Sequence, residues 1–433
     1  MPSNPHSRNF TTPQWIDAKR DPQQLLFWVI AACVFLIEFL LTAHMQVFNL
    51  RGPDSYSALH WTRDYSHGFA RRALLGQTLH WLHLDNTNYL LILVISWAIS
   101  LLLFLLIVQS VHRLTQGLCQ HERTAFAIAL LLCPLTAGIV IGCTGDPLEL
   151  ILVFYLLLLR YVIEPARQPI LTAATFVLFG IAASLIHEAS LFFIAPALAV
   201  AAFILFRTAT ARAALVGYIL GAVPVIAAIV LTNNQVVSHD YVAQLHYGSR
   251  IFQEPGSQGF ESFSTLFHEE NVDRFGRGLR GYLAMGLNTI GTTLLPAFFA
   301  LQIITFLFPR ESTSSDTRKR VLLAFLLPIP LAAPLFVIAH DWGRFLAYAF
   351  ILTLAALAAW RPTRSIPPSE RRLPILGLDL LLAGLTTTSL IHGYGVRGLE
   401  SNHRILLCSL PILAAATYLL HRLNAQAHHK TIP

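Results

Sequence analysis

The sequence predicts an all-α, polytopic helical membrane protein with about twelve transmembrane helices. Three observations predict it. Apolar residues fill 55% of the 433 positions, and Asp, Glu, Lys and Arg together fill only 12%, against roughly a quarter in soluble domains. About twelve apolar stretches each supply the roughly 20 residues that cross a bilayer. The basic residues fall in short clusters between these stretches instead of on one face of a domain. A soluble enzyme or a disordered chain does not fit this composition, and the strands of an outer-membrane barrel would alternate apolar and polar residues.

The apolar runs place spans near 25–48, 88–111, 125–143, 147–164, 169–187, 189–206, 213–232, 284–308, 321–339, 343–360, 373–391 and 404–420. Residues 1–24 are polar, and the first run continues without a small-residue cleavage pattern, so it reads as a retained anchor. Basic clusters such as Lys19-Arg20, Arg318-Lys319-Arg320 and the run from Arg361 to Arg372 mark cytoplasmic segments. On this topology the tails 1–24 and 421–433 are both cytoplasmic, and 25–420 is a single transmembrane domain. Its long outer loops are 49–87 and 233–283. The net charge of +7 is then a topology signal, and nucleic acid is not an expected partner; membrane lipids are. The five cysteines lie within or beside apolar segments with no CxxC, which argues against a disulfide framework or a cysteine metal site.

Within 49–87, apolar positions from Ser66 onward (Phe69, Leu74, Leu75, Leu79, Leu82) recur at helical spacing, which predicts a helix lying in the membrane interface. Asp54, Asp64, His67, Arg71 and Arg72 sit beside it. Lipid headgroups account for arginines there, but a carboxylate near an anionic surface needs a partner or a use. In the tight turn Gly145-Asp146-Pro147, Pro147 suits the first turn of a helix and makes Asp146 its N-cap. Glu149 follows at capping-box spacing, which gives it the weaker functional case. His187-Glu188 interrupts an otherwise apolar stretch from Leu171 to Phe206 at a hairpin that Gly, Asn or Ser would serve equally well. His340-Asp341-Trp342-Gly343-Arg344 places an imidazole, a carboxylate and a guanidinium in another short turn. Pairing of Asp341 with Arg344 is its plain explanation, and a forked phosphate contact its functional one. Arg397 and its neighbours His392, His403 and Arg404 occupy the last outer loop.

The topology puts all these groups on the outer face. Carboxylates beside arginines at a lipid boundary suit a lipid-linked substrate whose phosphate the arginines hold, while one carboxylate takes a proton from an acceptor hydroxyl. The expected catalytic residues are Asp64, Asp54, Asp146, His187 and Glu188. The expected substrate contacts are His67, Arg71, Arg72, His340, Asp341, Arg344 and Arg397.

The span count, the acids early in the first outer loop (Asp54-Ser55-Tyr56, then Asp64-Tyr65) and the acid of the next outer turn (Asp146) resemble the GT-C superfamily of membrane glycosyltransferases. The motifs DYSHGFARRALLG, HEASLFF and HDWGRF are similar to those of uncharacterised bacterial membrane proteins found with surface-polysaccharide biosynthesis. The resemblance implies inverting transfer from a polyprenyl-phosphate-linked sugar donor to a glycan or lipid acceptor. It implies Asp54 or Asp64 as base, Asp146 assisting, and Arg72 and Arg344 on the phosphate. Many members carry Asp-Glu in the first loop where this chain has Asp54-Ser55, which leaves both the base and a divalent cation, Mg or Mn, open. An O-antigen-type polymerase, a secondary transporter or flippase, and a membrane acyltransferase using His340-Asp341 are the alternatives.

Overall fold

A computed structural model describes residues 25, 27–36, 60–62, 64–65, 72–84, 88–116, 144–163, 168–231, 315–331 and 342–360, with single positions at 123, 127, 130, 131, 135, 136 and 140. The described residues are overwhelmingly helical, and among them there is no strand. The helices are α1 Phe27–Leu36, α2 Leu74–Trp81, α3 Tyr89–Thr115, α4 Pro147–Ile163, α5 Pro169–Ile186, α6 Leu191–Ala199, α7 Ala209–Leu231, α8 Ser315–Leu326, α9 Pro328–Leu331 and α10 Trp342–Trp360. Four segments among them are long and apolar enough to cross a membrane: Leu91–Thr115, Pro169–Ile186, Glu188–Leu205 and Ala209–Leu231. Their outward side chains include Leu178, Phe203, Val216, Leu220 and Val230, all exposed. Such a lateral apolar surface is costly in water and at home in hydrocarbon.

Three of the long helices begin where the sequence supplies a start. The Asn88 side chain accepts from the Leu91 amide at 3.1 Å and opens α3. Pro147 and Pro169 stand at the first positions of α4 and α5, where a missing N–H costs nothing. The run after α5 is not uniform. Pro196 removes one backbone donor from α6, and the chain continues as a π-helical stretch, Val200–Leu205, before α7.

Packing directions follow from side-chain pairs. Phe27 meets His112 with ring centroids 4.9 Å apart, and Phe35 meets Phe104 at 5.1 Å, so α1 runs antiparallel to α3. Gly217 faces the Ala173 carbonyl and Gly221 faces the Val177 carbonyl, so α5 and α7 run parallel. A Cβ at Gly221 would sit 2.1 Å from the Val177 oxygen and one at Gly217 2.3 Å from the Ala173 oxygen. Only glycine permits this backbone approach, the usual device for closing a helix pair where hydrocarbon offers no hydrophobic drive. A buried hydrogen bond from Tyr218 Oη to Ser190 Oγ, 3.1 Å, ties α7 to the start of the segment that precedes it.

Two expectations need correction. The helix expected at 321–339 begins earlier, at Ser315, where Asp316 pairs with Arg320 one turn on, and it breaks before Pro328. The helix expected from Ser66 onward is short: α2 buries Leu75 and Leu79 but starts at Leu74 and ends at Trp81, which leaves Leu82 exposed beyond it, with His83 in the left-handed backbone region at φ 56°. The segments 37–59, 232–314 and 361–433, and with them the loop 233–283 and the spans near 284–308, 373–391 and 404–420, lie outside the described residues.

Candidate functional site

The helix ends converge on one polar cluster. Asp146 precedes α4, His187-Glu188 joins α5 to α6, Arg344 lies in the first turn of α10, and Arg72 comes from the segment just before α2. Two ion pairs organise it. Arg72 donates from Nε to Glu188 Oε2 at 2.9 Å and from Nη2 to Oε1 at 2.5 Å, a side-on fork joining residues 116 positions apart. Arg344 Nη1 donates to Asp146 Oδ2 at 2.5 Å. These are charge-assisted contacts in a partly desolvated setting, where geometry and not mere proximity decides their worth.

Asp146 performs two tasks at once. Its Oδ1 accepts from the Leu148 amide at 2.9 Å, which is the expected N-cap, while its Oδ2 meets Arg344 and also accepts from Tyr348 Oη at 3.4 Å. Tyr348 in turn packs on Phe193 with centroids 5.9 Å apart, and Phe345 stacks on the same ring at 6.4 Å. Arg344 is therefore held from α10 against both α4 and α6.

Residues 60–62 are helical and link the two pairs. Trp61 Nε1 donates to the Gly145 carbonyl at 2.8 Å, beside Asp146. His60, buried, lies against His187 with ring centroids 5.7 Å apart. The Nδ1 of His187 accepts from the Ala189 amide at 3.2 Å and so caps the short helical turn Glu188–Ser190. Gly145 has φ 92°, which lets the turn double back toward Trp61 without Cβ conflict. Asp64 follows three residues after Trp61 and is half-buried; the next amide, Tyr65 N, donates to the buried Gln77 Oε1 of α2 at 2.8 Å. Burial pushes the Tyr65 phenol up to about 12.

Arg72 sits in the left-handed region at φ 60°. That conformation is costly for a residue with a side chain, roughly 1–3 kcal/mol, and persists only where its surroundings hold it. The fork to Glu188 is such a hold. The surface-headgroup account of Arg72 is thus replaced by a buried, bidentate pairing.

Glu149 stands in the first turn of α4, fully buried, and its Oε2 accepts from Ser100 Oγ of α3 at 2.6 Å. Ser100 is eleven residues into α3, so this contact lies about 16 Å along that helix from its start. The Asp146 turn is accordingly recessed behind the leading end of α3.

The sequence-predicted residues Arg72, Asp146, His187, Glu188 and Arg344 are brought together, with Asp64 on the segment that precedes α2. Arg344 makes a contact to Asp146 across the fold; its expected local partner Asp341 lies outside the described residues. Asp54, His67, Arg71, His340, Asp341 and Arg397 lie outside the described residues. Among the described residues no group of three His, Cys, Asp or Glu side chains is arranged to hold a metal ion. His60, Trp61, Tyr348 and the Ser100–Glu149 pair were not singled out from sequence. The chain matches no protein-family model, no curated protein and no solved structure.

Proposed function

We propose that this protein is a membrane glycosyltransferase that moves a sugar from a polyprenyl-phosphate-linked donor to a glycan or lipid acceptor at the outer face of a bacterial inner membrane. The observation that carries the reading is the convergence of two arginines and two carboxylates, drawn from four separate segments, at one end of an apolar helical bundle. Such a site is suited to a substrate that is anchored in lipid, carries a phosphate and presents a polar group for transfer. A span count of about twelve, cytoplasmic termini and a GT-C-like architecture belong to the same proposal.

In the proposed reaction the acceptor hydroxyl oxygen bonds to the anomeric carbon as the bond from that carbon to the phosphate oxygen breaks. The phosphate leaves with the electron pair, and the hydroxyl proton passes to a carboxylate. Asp64 is the favoured base over Asp54: it is half-buried, and the segment that carries it is pinned at Trp61 and at the Tyr65 amide. Arginine donors meet the charge of the departing phosphate. A divalent cation is not required by any step written here.

The test is turnover of a radiolabelled prenyl-phosphate sugar by the purified protein in lipid nanodiscs, with release of prenyl phosphate. Consumption of acyl-CoA, or vesicle uptake without turnover, would instead favour an acyltransferase or a transporter. Asp64→Asn is expected to lose about a hundred- to ten-thousand-fold in rate with folding and insertion intact. Near-normal turnover in Asp64→Asn beside an inactive Asp54→Asn moves the role to Asp54.

A further inference from the structure

The two ion pairs of the site face in opposite senses. In the first, Arg72 is 6% exposed and Glu188 is 18% exposed. In the second, Arg344 is 15% exposed and Asp146 is 3% exposed. The acid is thus the outward member of one pair and the cation the outward member of the other. The inward acid has further contacts: Asp146 is held through Oδ1 by the Leu148 amide and through Oδ2 by Tyr348 Oη. The inward cation, Arg72, meets both oxygens of Glu188 from a backbone in the left-handed region.

Resting on the glycosyltransferase reading, we infer that the two arginines do not share the phosphate. Arg344 is the phosphate contact and Glu188 the sugar-facing anion, while Asp146 and Arg72 are positioning residues that hold them. Both oxygens of Glu188 accept from Arg72, so this carboxylate is offered as a fixed negative charge and not as a proton acceptor. Transfer from a sugar phosphate develops positive charge on the sugar ring, and a fixed anion beside that ring stabilises the charge without reorganising. The ends of the cluster are joined through His60 and Trp61, which touch His187 and Gly145 respectively. The donor is thereby oriented, with its phosphate toward the α4 turn and its sugar toward the α5–α6 hairpin. Transfer itself remains as written above, with the proton going to Asp64.

The probe is a prenyl monophosphate that carries no sugar, bound to the full-length protein in nanodiscs, alongside turnover of the sugar-bearing donor. Arg344→Gln is expected to weaken prenyl-phosphate binding by about tenfold or more, the loss of a charge-assisted contact. Arg72→Gln is expected to leave that binding within about threefold and to lower kcat by about a hundredfold, with KM little changed. Arg72→Lys, which keeps the cation but not the fork, falls between Arg72→Gln and the wild type in kcat. Because Arg72→Gln strands the Glu188 charge, the double variant Arg72→Gln/Glu188→Gln, which removes both charges, guards against misfolding and should bind prenyl phosphate as the wild type does. Equal loss of binding in Arg72→Gln and Arg344→Gln, repeated in the double variant, overturns the inference while leaving a glycosyltransferase standing. A wild-type protein that neither binds prenyl phosphate nor turns over the donor overturns the functional reading and this inference with it.

Discussion

Asp146 joins a helix cap to an ion pair, and substitution separates the two. Asp146→Asn keeps an oxygen for the Leu148 amide and deletes the charge opposite Arg344; Asp146→Ala deletes both. Removing one member of a buried pair costs about 3–5 kcal/mol, because the other charge is left uncompensated. Arg344 retains some access to water at 15% exposure, which places Asp146→Asn near the low end, about 3 kcal/mol. Loss of the cap adds about 1 kcal/mol more in Asp146→Ala. The double variant Asp146→Asn/Arg344→Gln removes both charges and should recover about 2 kcal/mol relative to the sum of the single changes. Unfolding in mixed micelles at increasing SDS fraction, followed by tryptophan fluorescence and far-ultraviolet circular dichroism, supplies the four corners of the cycle. The reasoning is refuted if Asp146→Asn unfolds within about 0.5 kcal/mol of the wild type, or if the double variant equals the sum of its parts.

Two further outcomes are expected. Arg72→Gly should be more stable than Arg72→Ala by about 1 kcal/mol, because both lose the fork but only glycine accepts φ 60° without strain; at an ordinary position the order is reversed, so the same micelle unfolding assay reads the sign directly. The Tyr65 phenol, raised to about 12 by burial, stays protonated in the folded chain while the unfolded chain ionises near pH 10. The unfolded state therefore binds fewer protons between those values, and stability declines with rising pH across that window. Tyr65→Phe should remove that part of the alkaline decline in thermal melts between pH 9 and about 12, and an unchanged profile would show that the phenol is not buried as described.

How far the sequence reaches depends on the range of the interaction. Continuous apolar runs specify helices by composition alone, so α3, α4, α5, α7 and α10 fall close to where the pattern puts them. His187-Glu188 marks a helix end because no other ionisable group interrupts its stretch, and Asp146-Pro147 marks one through cap chemistry. Pairing is another matter. Spacing within a helix start points Arg344 to Asp341, three residues away and outside the described residues, and gives no sign of its contact with Asp146, 198 positions distant. The Arg72–Glu188 fork is equally beyond any local rule. His60-Trp61 lacks periodicity and was legible only as an unusual run of polar and aromatic groups just before Arg63-Asp64. For Glu149 the capping-box spacing concealed the contact it makes, and the available signal was Ser100, a hydroxyl placed within an apolar span.

The precision of this site comes from helix ends. Asp146 is delivered by the start of α4, Glu188 by the junction of α5 and α6, and Arg344 by the start of α10, so each position is set by how its helix packs along its length. The close approach of α5 to α7 at Gly217 and Gly221 fixes where α5 ends and hence where Glu188 stands. The aromatic stack of Phe345 and Tyr348 on Phe193 does the same for Arg344. The segment that precedes α2 contributes from outside this framework, and it is pinned at separate points: Trp61 to Gly145, the Tyr65 amide to Gln77, and Arg72 to Glu188.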